Sequence, residues 1–267
     1  MPTIVSIQSI RHGIGKSNLT ANLAVSIARR GWRVGIIDTD PMAPGIHALF
    51  NLDERHVDAV LNYYLWGDVS LDQVEAELSP VLKVEQGEVV VMGGGIDLIP
   101  AQIKVKEVPD LLRHGYDITI ISQAFLELMR RLNLDFLLID LHPGITKEAI
   151  LSLALANTVL LVLGLDQHEL QAMAVLVDLA RQLGVPKIFL IANQVLSGLD
   201  VDQVQRRLQA IYGENVVGVL PITAELMALG SSGIFCQQYP HHSLTERIQA
   251  IAQQLITAAE HSSTRPN

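Results

Sequence analysis

A mostly parallel, doubly wound α/β sheet with helices on both faces, a three-layer sandwich, is predicted by three observations. Short runs rich in Val and Ile recur between stretches long enough to be helices. Each run is apolar throughout, as strands covered on both faces are, instead of alternating. Several end directly in glycine-rich or acidic clusters, where the ligands of such sheets sit.

The elements follow in order. A first strand, Ile4 to Ile7, leads through a loop into a helix over Asn18 to Arg30, and a second strand covers Val34 to Ile37. Residues 51 to about 106 break the rhythm with two short helices, a hairpin around Gly93-Gly94-Gly95 and a strand at Asp97 to Ile99. This region is expected to be a variable insertion at the sheet edge. Its cluster Tyr63-Tyr64-Leu65-Trp66 reads either as a partner-docking surface or as packing for the inserted helices, the usual job of clustered aromatics. After it come a helix over Ile121 to Leu132 and a strand over Phe136 to Ile139. The apolar stretch Ile150 to Leu165 reads as a helix and then a buried strand, Thr158 to Leu163. Helices at Glu169 to Leu183, Val201 to Tyr212 and Ser243 to Ala259 alternate with strands at Ile188 to Ala192 and Val216 to Leu220, and right-handed crossovers join the strands. The whole chain, 1–267, is read as a single domain.

Composition sets the outer limits. With 267 residues, 49% hydrophobic, and a mean hydropathy of +0.31, the chain suits one large domain around a buried sheet. The single cysteine, Cys236, supplies neither a disulfide framework nor a cysteine-rich metal site, which fits a reducing cytoplasm. No basic leader precedes an apolar core, so a cytoplasmic protein is expected. The run 150–165 falls short of the ~20 residues of a membrane span. A net charge of −9 gives no global attraction to nucleic acid or anionic lipid, so binding either would require a local basic patch.

The chemistry concentrates at three strand ends. Arg11-His12-Gly13-Ile14-Gly15-Lys16-Ser17 follows the first strand and opens a helix. That arrangement aims backbone N–H groups and a positive helix end at anionic oxygens, with Lys16 reaching the β- and γ-phosphates and Ser17 on the Mg²⁺ between them. The strict phosphate-loop pattern misses by one residue, because Ile10 stands where its first glycine belongs. Asp38-Thr39-Asp40-Pro41 places two carboxylates after the second strand, Asp38 for the metal's hydration shell and Asp40 to accept a hydrogen bond from an attacking water. Asp140-Leu141-His142-Pro143-Gly144 ends the Phe136 strand as a Walker B carboxylate does, making Asp140 the second acidic arm at the metal.

Together these motifs resemble the ParA/MinD superfamily of deviant Walker A ATPases over nearly the whole chain. The resemblance implies a P-loop fold, ATP with Mg²⁺, slow hydrolysis, and a homodimer closed over two ATP molecules. It places the nucleotide against residues 11–18, Arg11 through Asn18, with Asn193 and Pro221-Ile222 around adenine. The family's signature lysine, which reaches the partner's phosphates, is Arg11 here, and the next glycine is His12. Either Arg11 or Lys147, just past the Walker B element, is a source of the trans cation. The second choice resembles the carboxysome-positioning (McdA-like) branch, which uses a lysine distant from the loop.

The implied job is positioning: an ATP-bound dimer binds nucleoid DNA without sequence preference, and an adaptor of the ParB/McdB type triggers hydrolysis and release. Arg206 and Arg207 are the candidate DNA contacts, with Arg181, Lys187 and Arg247 as additions. Three alternatives stay open: a membrane-surface regulator of the MinD type, disfavoured because no basic amphipathic segment follows the last helix; an amidoligase-like or synthetase-like enzyme, for which no substrate-specific residues stand out; and a nucleotide-binding scaffold with little hydrolysis. Iron–sulfur carriers on this fold need paired cysteines, which one Cys236 does not supply. Adjacent His241-His242 lacks matching metal ligands and reads as a polar loop.

Overall fold

The computed structural model describes residues 2–39, 45–51, 95–99 and 118–263. Asp40, the Tyr63–Trp66 cluster and most of the expected insertion lie outside them.

Seven strands form one sheet in the order β3-β2-β4-β1-β5-β6-β7. They are β1 (Thr3–Gln8), β2 (Arg33–Asp38), β3 (Gly95–Ile99), β4 (Phe136–Asp140), β5 (Thr158–Leu163), β6 (Lys187–Val195) and β7 (Asn215–Pro221). Every pairing is parallel. The nine helices among the described residues are α1 (Lys16–Ala28), α2 (Ile46–Leu49), α3 (Ile118–Arg131), α4 (Lys147–Leu155), α5 (Gln167–Gln182), α6 (Val201–Tyr212), α7 (Ala224–Leu229), α8 (Phe235–Gln238) and α9 (Ser243–Ser263).

The continuous apolar runs form strands because both faces are covered. Successive residues of one strand enter different cores: Ile4 joins the side covered by α3, α4, α5 and α6, while Val5 and Ile7 join the side of α1 and α9. Leu137 and Ile139 divide from Phe136 and Leu138 in the same way. At about 25 cal/mol per Å² of apolar surface removed from water, this two-sided burial is the main force holding the layers. The short helices α2, α7 and α8 were not anticipated. They are too brief for a helical hydrophobic period to show in sequence.

The order of the strands makes the site. From β1 the chain crosses past β4's place to β2, whereas from β4 it crosses over β1 to β5. The connections leaving β1 and β4 therefore part in opposite directions and open a crevice at their carboxyl ends. Asp38 and Asp140 sit abreast in the register of β2 and β4, and Ile7 of β1 pairs with Asp140.

Candidate functional site

The phosphate loop is held from its carbonyl side. Ser9 Oγ donates to the Arg11 carbonyl (3.0 Å), Gln194 Nε2 to that of Gly13 (2.8 Å) and Asn193 Nδ2 to that of Ile14 (2.7 Å). Satisfying the carbonyls from outside leaves the N–H groups as the loop's polar edge, which is what an anion site requires. Gly13 and Gly15 have φ of +77° and +80°, a region that L side chains rarely adopt. Ile14 buries its side chain in the core below, so its contribution to a ligand is backbone alone. His12 is exposed and rests edge-on against His142, ring centroids 4.9 Å apart.

Beneath the loop, Lys16 Nζ donates to Asp140 Oδ1 at 2.9 Å, both residues buried. Thr20 Oγ1 reaches the same oxygen at 3.3 Å. The other oxygen, Oδ2, is buried without a hydrogen-bond partner. A buried carboxylate oxygen left unpaired costs free energy, and a cation or its hydration water would relieve that cost. Asp38 accepts N–H bonds from Gly45 (3.1 Å) and Ile46 (3.3 Å), which ties the end of β2 to the start of α2.

Sequence reasoning missed several side chains that shape this site. Gln8, buried at the end of β1, accepts from Ser9 N–H and donates to the Gly144 carbonyl, joining the loop to the Walker B turn. Thr39 donates to the Asp140 carbonyl and accepts from His142 N–H, closing the gap between β2 and β4. Single polar residues at strand ends carry no sequence signal of such partners, because those partners are more than a hundred residues away.

Two of the three residues expected at adenine, Asn193 and Ile222, line the same cavity. Gly15, Asn18, Asn193 and Ile222 line one cavity of about 250 Å³ beside the loop, with Leu19, Leu226 and Met227 supplying apolar walls. Pro221 lines an adjoining cavity of about 450 Å³, which Ile222 shares.

The two candidate trans cations differ in state. Arg11 is engaged within its own chain, with Nε 2.8 Å from Glu169 Oε2 and Nη1 3.2 Å from Asp166 Oδ2. Lys147 is exposed at the first position of α4, between Ile145 (48% exposed) and Ile150 (36% exposed). Of the basic residues considered for DNA, Arg206 and Arg207 are exposed on α6. Arg181 is occupied by Glu214, Asp178 and the Tyr212 carbonyl, and Lys187 by the Ala258 carbonyl. Neither is a free phosphate contact. Cys236 is fully buried near Ser26 Oγ, and burial pushes its thiol above the usual range. No helix among the described residues is long and apolar enough to cross a membrane.

Comparison with known proteins places this geometry. A family model described as ParA, NUBPL iron-transfer P-loop NTPase, matches residues 1–256. An uncharacterized ATP-binding protein of Methanocaldococcus jannaschii is 23% identical over 260 residues, 97% of this chain and 89% of that protein. An iron–sulfur cluster carrier protein of Pseudomonas fragi is 24% identical over 246 residues, covering 86% of this chain and 76% of the carrier. Among solved structures, the MinD cell division protein of Aquifex aeolicus superposes with a TM-score of 0.74 at 19% identity, over 96% of this chain and 97% of that one.

Proposed function

The chain belongs to the NUBPL iron-transfer P-loop NTPase family, and from that premise we propose that it is a Mg²⁺-dependent ATP hydrolase working as a positioning switch. In this reading two copies close over ATP, the dimer binds DNA without sequence preference, and a partner protein stimulates hydrolysis and release. A carboxysome, plasmid or chromosome is the cargo class. The observation that carries the reading is the buried Lys16–Asp140 pair, with an unpartnered carboxylate oxygen, under a loop whose Arg11, Gly13 and Ile14 carbonyls are held from outside.

The donor set fits ATP and its metal. Lys16 uses one of three N–H donors on Asp140, so its ammonium has capacity for phosphate oxygens. Ser17, Asp38 and Asp140 would hold Mg²⁺, which when bound neutralises charge between the β- and γ-phosphates. The 250 Å³ cavity takes the base, with Asn193 and Ile222 at its edge. Asp40 is the carboxylate assigned to the attacking water. The γ-phosphate is what makes closure reversible, since contacts made to it disappear on hydrolysis.

Lys147 is the better trans cation. It is exposed and flanked by two exposed isoleucines that suit a subunit contact, whereas Arg11 is already paired in cis. Arg206 and Arg207 on α6 are the proposed DNA contacts, and in a chain of net charge −9 their binding must weaken steeply with salt.

A second reading, iron–sulfur carriage, is favoured by the family's iron-transfer character and by the similarity to the Pseudomonas fragi iron–sulfur cluster carrier. Clusters of this kind are held by several cysteine thiolates, and this chain has one cysteine, buried in the core. The switch therefore takes precedence.

Size exclusion with and without ATP·Mg²⁺ tests the proposal, on the wild type, Lys147→Ala and Asp40→Ala, followed by a duplex mobility shift at rising salt. An ATP-specific dimer that retards DNA, lost in Lys147→Ala while monomeric ADP binding persists, is expected. A wild type that stays monomeric with ATP, or an iron-loaded protein after anaerobic reconstitution, would overturn it.

A further inference from the structure

The geometry points to a positioning role for Arg11: an ion-pair latch to Asp166 and Glu169 anchors the ascending arm of the phosphate loop to α5. This inference deepens the ATPase reading and rests on it.

Three features build the latch. Glu169 buries its carboxylate to 2% exposure although it lies in the first turn of a helix, where acidic side chains ordinarily stay in water. Its ion-pair partner is Arg11 Nε, 2.8 Å away. Asp166 caps the same helix by accepting from Glu169 N–H at 2.9 Å, and meets the other arm of the guanidinium. One planar cation thus bridges the cap and the first turn of α5, a fork geometry that lysine does not reproduce. The last feature is a vacancy in the chain itself. A Cβ at Gly164, just past β5, would lie 2.8 Å from Glu169 Oε2 and 2.9 Å from Arg11 Nη2, so this glycine makes room for the pair.

The consequence for the loop follows from what else holds it. Gly13 and Ile14 are anchored through their carbonyls by Gln194 and Asn193, both from the end of β6. Arg11 has only the short Ser9 hydroxyl on its carbonyl, and no glycine stands at position 10 to set the turn. The latch supplies the missing second anchor from α5. Burial raises the Glu169 carboxyl above its usual range, with Asp166 adding to the shift and the Gly164 N–H and the Arg11 charge opposing it.

A cis positioning role and a trans role for Arg11 make opposite predictions in the monomer. ADP titration and steady-state ATPase assays would be run on the full chain carrying Arg11→Ala, Glu169→Gln, the double variant, Gly164→Ala and Arg11→Lys. Loss of one charge-assisted anchor is expected to weaken monomeric ADP binding about tenfold in each of the two single variants. The double variant should be no worse than either, because both remove the same contact. Gly164→Ala should reproduce the loss without touching a charge, Arg11→Lys should recover part of it, and KM for ATP should rise while kcat holds within about twofold. Unchanged ADP affinity in Arg11→Ala with loss of the ATP-dependent dimer would overturn the latch, as would additive losses in the double variant. A wild type that fails to bind ADP would instead overturn the ATPase reading itself.

Discussion

Replacing Gly15 by alanine imposes two separable costs at one point of the loop. The first is conformational: φ is +80°, and an L residue held in that region loses about 1 kcal/mol. The second is steric, since the new Cβ would stand 2.7 Å from Asn193 Nδ2. That amide must then leave the Ile14 carbonyl, forfeiting a buried hydrogen bond worth about 1 kcal/mol net. The sum, about 2 kcal/mol, corresponds to roughly a thirtyfold loss of affinity if the loop geometry is what binds phosphate. Gly13→Ala is the internal control. Its φ is +77°, but a Cβ there meets nothing within 4 Å, so only the first cost applies, about fivefold. Fluorescent ADP titration measures both. In an Asn193→Ala background the steric cost disappears, and Gly15→Ala should fall to the Gly13→Ala value. Equal losses for the two single glycine variants would refute the reasoning, because the Asn193 clamp would then have no energetic weight.

Other outcomes follow from the buried polar groups. Lys16→Ala leaves the Asp140 carboxylate buried with Thr20 as its remaining partner and should destabilise the fold by about 3 kcal/mol in urea titration. Lys16→Ala with Asp140→Asn should recover much of that stability but no nucleotide binding. Burial, with a smaller push from the Glu169 charge, raises the Tyr212 hydroxyl to about 12. Because the unfolded chain ionises first, stability should drop as pH rises from about 10 towards 12, by about 1–2 kcal/mol once partial solvation is allowed for. Urea midpoints across that range should flatten in Tyr212→Phe; an unchanged slope would assign the loss elsewhere. The buried Cys236 thiol should react with a disulfide reagent at pH 8 roughly a hundredfold more slowly in the native protein than in urea. Rapid native labelling would count against its place in the core.

Much of the architecture was legible along the chain. Thr158 to Leu163 and Phe136 to Asp140 are apolar enough to demand cover on both faces, and that local fact entails a parallel sheet between helices. Gly-x-Gly-Lys-Ser was equally legible, because the left-handed glycines and the helix start are neighbours in sequence. Local signals failed where an element is too short to show a period, as at Ala224–Leu229, or where a side chain finds its partner far along the chain, as Gln8 does at Gly144.

Sequence alone determined the layered fold, the phosphate loop and the absence of paired thiols, because each is written in residues adjacent to one another or in a simple count. Tertiary structure decided that one of the two candidate cations is paired within the chain. Arg11 and Lys147 carry the same charge in the sequence, and only the packing of α5 against the loop brings Asp166 and a buried Glu169 to the first, while the second is exposed at the start of α4 with no ion pair among the described residues. Ion pairs between distant segments depend on strand order and register, which no local pattern encodes.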